Sequence, residues 1–324
     1  MKRIAVVTSG GDAPGMNAAV RAVVRIGTDM GLESIGVRNG YEGLIGADFI
    51  RLNNRDVSEI LHLGGTFLGT ARSREFEESE EARRQCIENL RRDGIDGLIV
   101  IGGNGSQAGA NALHRLGFPV VGVASTVDND LYGSDITIGV DTALDIIIES
   151  IDRIRTTAES HHRAFLIEVM GKTSGYLALA AGIAGGADVI VTPEFDIGPA
   201  EVRQQLAAAH ARGKRYAMAV VTDGAHNNAQ RCMEYFKARQ NEIGYELRVT
   251  ILGHVQRGGS PTSFDRILAS RLGAAAVELI GSGGSGQLVG WIDGAIAHTP
   301  LDEVAASRKV IDPGMWKLLG VLAK

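Results

Sequence analysis

The sequence predicts an α/β protein built of two doubly wound lobes with mainly parallel sheets. Short apolar segments rich in β-branched residues alternate with longer amphipathic segments along most of the chain. The short segments are apolar on both faces, which is typical of parallel strands covered by helices on both sides. With 324 residues the chain is also long for one simple domain, which favours two lobes.

The strand and helix patterns follow one another in a regular order. The predicted strands are Ile4–Thr8, Gly97–Ile101, Pro119–Val123, Ala164–Val169, Asp188–Thr192, Tyr216–Thr222, Glu246–Leu252 and Leu288–Ile292. Amphipathic periodicity predicts helices over Met16–Met30, Glu80–Arg91, Thr142–Glu159, Pro199–Ala211 and Phe264–Ile280. Ligands of doubly wound domains bind beyond the carboxyl ends of the strands, so we expect the functional residues in the loops that follow each strand.

The net charge and the cysteine content argue against several classes of function. The formal net charge of −5 argues against binding to nucleic acid or to an anionic membrane, so any anionic ligand must meet a local cluster of Lys and Arg. No apolar run reaches the length needed to span a bilayer. Cys86 and Cys232 lie far apart without a metal-ligand pattern, which predicts reduced thiols and a cytoplasmic location.

Two glycine-rich segments lie where a predicted strand leads into a helix. In TSGGDAPGMN, Gly10 and Gly11 allow the backbone to approach an anion at a helix N-terminus, although a tight turn without a ligand would look similar. In IGGNGSQAGA, residues 101–110, the glycines loosely fit a dinucleotide fingerprint. The acidic residue expected after the next strand is missing at Val123–Ser125, so a phosphate loop is the better interpretation.

Charged side chains follow other strands. STVDND places Asp128 and Asp130 directly after a strand, where one carboxylate can accept a hydroxyl proton and the other can help to position a magnesium-bound phosphate. A solvated turn is the alternative interpretation for such a triplet. Arginines also lie near glycines, and Arg257 before Gly258 and Gly259 suits bidentate phosphate binding.

Taken together, these motifs resemble those of the bacterial-type 6-phosphofructokinases. The resemblance runs nearly end to end and rests on TSGGDAPGMNAAVR, GGTFLGTAR, STVDND, EVMGKTSGYLAL and LGHVQRGGSPTSFDRILASRLG, in this order. It implies a cytoplasmic homotetramer that uses Mg²⁺ and ATP to phosphorylate fructose 6-phosphate at its C1 hydroxyl, a step of glycolysis. It also implies a nucleotide-binding lobe, residues 1–138 with 252–303, and a sugar-phosphate-binding lobe, residues 139–251 with 304–324.

The resemblance further implies a role for individual residues. The catalytic group is Asp128 as general base, with Arg72 and Asp130. ATP would contact Gly11, Arg72, Ser73, Gly103, Asn104, Gly105 and Ser106, and Mg²⁺ would contact Asn104 and Asp130. Fructose 6-phosphate would contact Thr126, Val127, Asp128, Arg163, Met170, Gly171, Lys172, Asp223, Arg248, His254, Val255, Gln256 and Arg257, with Arg163 and Arg248 supplied by a neighbouring subunit. An effector such as ADP or another phosphorylated molecule would contact Arg21, Arg25, Arg55, Arg155, Asp188, Arg212, Lys214 and Arg215.

Several residues depart from the pattern of the family. Asn104 replaces an aspartate associated with magnesium, and Lys172 and Asp223 replace a usual Arg and Glu. Gly105 matches the ATP-dependent enzymes, whereas Ser125 is neither the glycine of those enzymes nor the lysine of the pyrophosphate-dependent ones. A pyrophosphate-dependent enzyme, a catalytically weak nucleotide-sensing tetramer and, less well, a dinucleotide-binding oxidoreductase remain as alternatives.

Overall fold

The computed structural model describes residues 1–237, 239 and 242–322. The chain divides into two compact units. The first comprises residues 1–142 and 257–309, and the second comprises residues 143–256 together with the chain from residue 310 onward. The boundaries that the sequence predicted lie a few residues before these ones in each case.

The first unit contains a seven-stranded sheet with helices around it. Its elements are β1 (Arg3–Thr8), α1 (Met16–Asp29), β2 (Glu33–Val37), α2 (Gly40–Gly46), β3 (Phe49–Leu52), α3 (Arg74–Glu78), α4 (Glu80–Arg92), β4 (Gly97–Gly102), α5 (Asn104–Arg115), β5 (Val120–Ala124), α10 (Ser263–Gly281), β10 (Gln287–Ile292), β11 (Ala295–Pro300) and α11 (Leu301–Ala306). The strand order is β11-β10-β5-β4-β1-β2-β3, parallel except for β3 and β11 at the two edges.

The second unit contains a four-stranded parallel sheet in the order β7-β8-β6-β9. Its elements are α6 (Val140–His161), whose first three residues belong to the first unit, β6 (Arg163–Val169), α7 (Tyr176–Ala184), β7 (Val189–Val191), α8 (Pro199–Ala211), β8 (Ala217–Thr222), α9 (Ala229–Phe236), β9 (Glu246–Ile251) and α12 (Pro313–Leu322). A short 3₁₀ helix, Gly253–Arg257, follows β9.

The central strands explain why the predicted fold class is confirmed. In the first unit β4 and β5 are buried along their whole length, and β1 is buried from Ile4 to Thr8. Strands without an exposed face must be covered on both sides, and parallel pairing with helical crossovers achieves this. None of the described helices is both long and apolar enough to cross a bilayer.

Sequence patterns did not predict β2, the edge strands β3 and β11 of the first unit, or several short helices. Both β3 and β11 lie at a sheet edge and are only partly buried, so neither shows a continuous apolar run. Three of the seven residues of α2 are glycines, which are poor helix formers. Burial of Tyr41 and Leu44 holds α2 in place, which is a tertiary effect.

Candidate active site

The loop between β1 and α1 needs glycine at two positions with left-handed backbone, Gly10 (φ 84°) and Gly15 (φ 107°). A side chain at Gly15 would also overlap the buried side chain of Ile138, which lies in the loop after β5. A β carbon at Gly11 would lie 2.9 Å from Cζ of Arg257 and closer still to its Nη1. The loop therefore packs closely on two other candidate segments.

The segment GGTFLGTAR is attached to the β1 loop by side-chain hydrogen bonds. Buried Asn17 donates from Nδ2 to the carbonyl of Leu63 at 3.0 Å and accepts at Oδ1 from the backbone N–H of Phe67 at 2.6 Å. The hydroxyl of Thr70 donates to the carbonyl of Gly10 at 2.7 Å. The segment ends at exposed Arg72, two residues after Thr70.

Residue 73 has a structural role in addition to its predicted one. Ser73 is buried and is the N-cap of α3, where its hydroxyl oxygen accepts from the N–H of Phe76 at 3.3 Å.

The second phosphate-loop candidate lies between β4 and the start of α5. Asn104 is the first residue of α5, so the free N–H groups of this helix end lie at residues 104–106. A β carbon at Gly105 would meet no atom within 4 Å, which leaves open space in front of the helix N-terminus. Ser106 is buried instead, and its carbonyl accepts from the hydroxyl of Tyr41. Gly103 lies next to Thr126, since a β carbon there would be 3.2 Å from Thr126 Cβ.

The loop after β5 carries the two candidate carboxylates. Half-buried Asp128 donates its backbone N–H to the hydroxyl of Thr126 at 3.3 Å, and the side chain of neighbouring Val127 is buried. Asn129 has left-handed backbone, with φ 50°, and is only 2% exposed. Asn104 Nδ2 donates to the carbonyl of Asp130 at 3.4 Å. The residues expected to hold magnesium thus lie on adjoining loops.

Two residues that the sequence analysis did not single out stabilise this region. Asp265 is fully buried and accepts from the N–H groups of Gly139 and Thr142, both at 2.8 Å, so that it caps the start of α6. Burial raises the pKa of Asp265 to about 6. Lys309 contacts Asn129 from outside every motif, and burial lowers its pKa to about 8. Asp265 lies within the family motif LGHVQRGGSPTSFDRILASRLG, whereas Lys309 lies outside all of the motifs.

Arg257 lies at the end of the 3₁₀ helix, just before α10. Its side chain is mostly buried, and Nη1 lies 3.9 Å from Asp12 Oδ1. The structure therefore brings this predicted sugar-phosphate residue to the glycine loop of the first unit.

In the second unit a group of candidates lies at the carboxyl end of the sheet. The backbone N–H of Met170 donates to Oε1 of fully buried Gln256 at 3.1 Å. The N–H of Lys172, a residue with φ 50°, donates to Oδ1 of Asp223 at 2.9 Å. Gly171 leaves no room for a side chain, since a β carbon there would lie 2.6 Å from Thr222 Cγ2. The side chains of His254 and Val255 are exposed on the 3₁₀ helix that follows β9.

Arg163 and Arg248 lie elsewhere in the second unit. Arg163 begins β6, six residues before the strand ends at Val169, which is roughly 20 Å along the strand. Both guanidinium groups pair with Glu246, Arg163 at 2.6 Å, and the hydrogen bond from Arg163 is the main cause that lowers the pKa of Glu246. These two arginines are therefore not part of the group around Met170.

The effector candidates are distributed over both units. In the first unit Arg21 and Arg25 lie one turn apart on α1, and burial together with the charge of Arg25 lowers the pKa of Arg21. Arg55 is exposed on the segment after β3.

In the second unit the effector candidates are already engaged with protein groups. Arg155 donates to the carbonyl of Gly185, and Arg215 lies 3.9 Å from Glu159. Lys214 pairs with Asp188, whose other oxygen accepts from the N–H of Met218. Arg212 is the C-cap of α8, two residues before Lys214.

The chain matches proteins of one family along almost its whole length. The family model described as phosphofructokinase matches residues 3–280. The chain belongs to the phosphofructokinase family. This phosphofructokinase is 52% identical over 324 residues, the whole of both chains, to ATP-dependent 6-phosphofructokinase 1 of Thermus thermophilus. It is 48% identical over 318 residues, 98% of both chains, to the ATP-dependent 6-phosphofructokinase of Bacillus pumilus. The family resemblance inferred from the motifs is confirmed.

Solved structures place the phosphofructokinase in the same fold. The phosphofructokinase of Saccharomyces cerevisiae matches with a TM-score of 0.86 and 40% identity, covering 94% of this chain and 45% of the yeast chain. The pyrophosphate-dependent phosphofructokinase of Marinobacter aquaeolei matches with a TM-score of 0.86 at 22% identity, covering 100% of this chain and 92% of that one. At this identity the second match shows the fold alone.

Proposed function

We propose that this phosphofructokinase is ATP-dependent and transfers the γ-phosphoryl group of ATP to the C1 hydroxyl of fructose 6-phosphate, forming fructose 1,6-bisphosphate. The observation that carries the proposal is the meeting of three loops in the first unit. The loops after β1, β4 and β5 bring Gly11, the helix end at Gly105 and the carboxylate of Asp128 to the same edge of one sheet. This edge is where doubly wound folds bind phosphorylated ligands.

ATP is favoured over pyrophosphate as the phosphoryl donor. The relatives at 48% and 52% identity are named as ATP-dependent enzymes, whereas the pyrophosphate-dependent protein matches at only 22%. The open space at Gly105 supports the same donor, because a nucleotide extends beyond the pyrophosphate group by a ribose and a base. The helix N–H groups at 104–106 would face the phosphate oxygens.

Asp128 is the proposed general base. It is half-buried beside Thr126, whose hydroxyl accepts from the Asp128 backbone N–H, and the neighbouring Asn129 side chain accepts from the N–H of Thr137. Accepting the C1 proton makes the oxygen a nucleophile, and exposed Arg72 would stabilise the charge on the transferred group. Ser73, Gly103 and Ser106 would complete the nucleotide contacts, and Thr126 and Val127 those of the sugar.

The residues fit a magnesium ion that is shared with the nucleotide. Among the described residues, no group of three or more His, Cys, Asp and Glu is placed to hold a metal. Mg²⁺ commonly takes one or two protein oxygens and completes its shell with water and phosphate. The Asp130 carboxylate and the Asn104 amide oxygen would supply such a pair, and the hydrogen bond from Asn104 Nδ2 to the Asp130 carbonyl brings the two residues together. When bound, the ion would neutralise charge on the β- and γ-phosphates.

Substrate contacts from the second unit would come from its carboxyl-edge group. We infer that Lys172, Asp223 and exposed His254 bind the sugar phosphate, together with Met170, Gly171, Val255, Gln256 and Arg257. Arg163, the first residue of β6, and Arg248, the third residue of β9, would serve a neighbouring subunit in the proposed homotetramer. The first unit would then be the nucleotide-binding lobe and the second the sugar-phosphate-binding lobe.

A regulatory site is a separate part of the proposal. ADP or another phosphorylated effector would bind to the residues that the family resemblance implies: Arg21, Arg25, Arg55, Arg155, Asp188, Arg212, Lys214 and Arg215. The ion pair of Lys214 with Asp188 would have to open for the ammonium to meet a phosphate. We also infer a cytoplasmic location.

The deciding experiment is a steady-state assay of the full chain with fructose 6-phosphate, comparing kcat/KM for ATP and for pyrophosphate. We expect the ATP value to be higher by orders of magnitude. Asp128→Asn, prepared in the same way, measures contaminating activity. A kcat/KM for pyrophosphate equal to that for ATP would show that the assignment of ATP as the donor is wrong. Nucleotide binding without turnover would instead favour the weak nucleotide-sensing protein that Asn104 suggests.

A further inference from the structure

Lys309 contacts the loop of the two carboxylates from a distant part of the chain. It lies three residues after the end of α11 and outside every motif that carries the family resemblance. Its Nζ donates to Oδ1 of Asn129 at 2.9 Å and to the carbonyl of Asp135 at 2.6 Å. Asn129 is the residue between Asp128 and Asp130.

The side chain of Asn129 is the centre of this loop. Its Nδ2 donates to the carbonyl of Asp135 at 3.1 Å, and its Oδ1 accepts from the N–H of Thr137 at 3.2 Å. The Thr137 hydroxyl donates at 2.6 Å to the carbonyl of Thr126, and this hydrogen bond joins the two ends of the loop. An amide oxygen has two lone pairs, so the N–H of Thr137 and the ammonium of Lys309 complete its hydrogen bonding.

The backbone conformation of Asn129 sets the direction of this turn. Its φ of 50° lies in the left-handed region, which asparagine adopts more readily than most residues other than glycine. Rotation of this residue would redirect the Cα–Cβ bonds of both flanking aspartates. The conformation that presents Asp128 and Asp130 therefore depends on the contacts that the Asn129 side chain makes.

Two carboxylates attract the ammonium of Lys309. Burial disfavours its charged form and lowers its pKa to about 8, and the charges of Asp135 and Asp130 oppose this effect. The Asn104 amide holds the carbonyl of Asp130 from the α5 side. Lys309 and Asn104 thus restrain the same short turn from two directions.

We propose that Lys309 is a positioning residue for phosphoryl transfer: its ammonium, bound to Asn129 and to the Asp135 carbonyl, holds the turn that presents Asp128 and Asp130. The proposal rests on the proposed function of Asp128 as the base. It assigns Lys309 no contact with either substrate. Removing the ammonium should therefore affect turnover more than substrate binding.

The test compares Lys309→Met, Lys309→Arg and the control Lys317→Met in the full chain. Lys317 is exposed on α12, eight residues along. Displacing a catalytic group by about 1 Å can cost about a hundredfold in rate, so we expect Lys309→Met to lower kcat at least about tenfold. KM for both substrates should change less than about threefold, since no binding contact is lost. Lys309→Arg should recover part of kcat, and Lys317→Met should match the parent.

A double-mutant cycle with Asn129→Ala tests whether Lys309 acts through Asn129. If it does, adding Lys309→Met to Asn129→Ala should lower kcat little further. Additive losses, a kcat for Lys309→Met within twofold of the parent, or a kcat loss equal to the loss of folded protein would each overturn the proposal. In those cases an active parent leaves the proposed function intact. A parent that shows no transfer from ATP to fructose 6-phosphate would overturn both.

Discussion

The guanidinium of Arg257 lies directly against the α carbon of Gly11. A β carbon at Gly11 would be 2.9 Å from Cζ of Arg257 and would overlap Nη1. The predicted sugar-phosphate arginine and the predicted nucleotide glycine are therefore in contact, and glycine at position 11 is what allows the guanidinium to lie there. This contact leads to the first prediction.

Gly11→Ala should displace the Arg257 side chain without unfolding the protein, because the overlapping atoms are the far end of a flexible side chain. We expect KM for fructose 6-phosphate to rise about tenfold or more, the effect of weakening one charge-assisted hydrogen bond. Thermal unfolding should change little. Gly46→Ala is the matched control, because a β carbon there meets no atom within 4 Å. An unchanged KM for fructose 6-phosphate would show that Arg257 does not bind the sugar phosphate.

Gly105→Asp should abolish most ATP-dependent activity. The new carboxylate would occupy the open space before α5 and repel the nucleotide phosphates. Since the fold leaves this space free, the variant should remain folded, and direct nucleotide-binding measurements should show the loss. Gly198→Asp is a suitable control, because Gly198 also faces open space and is the N-cap of α8. If Gly105→Asp binds ATP as tightly as the parent does, the nucleotide does not bind beside residue 105.

Asn104→Asp should reduce the Mg²⁺ concentration needed for the half-maximal rate. A carboxylate adds a negative charge beside Asp130 and is a stronger ligand for a hard cation than an amide oxygen. The change also removes the amide donor to the Asp130 carbonyl, so kcat can fall at saturating Mg²⁺. A titration of rate against Mg²⁺ at constant ATP measures the first effect. If the requirement does not change, Asn104 is not a ligand.

Asp265 should make the stability of the protein depend on pH. Burial raises its pKa from 3.8 to about 6, so the folded state binds this proton more tightly than the unfolded state. The resulting contribution to stability is complete below about pH 3.8 and is lost as pH rises through about 6. From pH 4 to 7 the free energy of unfolding of the parent should therefore fall relative to that of Asp265→Asn.

Denaturant unfolding at several pH values measures this difference. Asp29→Asn, at the exposed end of α1, should show the same pH dependence as the parent. A difference between parent and Asp265→Asn that stays constant with pH would show that Asp265 keeps an ordinary pKa. In that case its three hydrogen bonds, from the N–H groups of Gly139 and Thr142 and from the hydroxyl of Thr142, offset the effect of burial.

The sequence by itself determined the α/β class, the central strands and the loops that carry the candidate site. Continuous apolar runs such as Leu98–Ile101 can be satisfied only by burial on both faces, and this requirement is local enough to be seen in the sequence. The motifs of the phosphofructokinase family likewise occupy short, continuous segments. They predicted roles for Gly11, Gly105 and Asp128 without any knowledge of the chain path.

Only the tertiary structure decided which of these residues meet and what holds them. Lys309 and Asn129 are 180 residues apart in the chain, and no periodicity or local pattern relates them. Arg257 reaches Gly11, and Asp265 reaches the start of α6, for the same reason. Contacts between distant segments depend on how the strands are ordered in the sheet, and a hydrogen bond needs positions accurate to a fraction of an ångström.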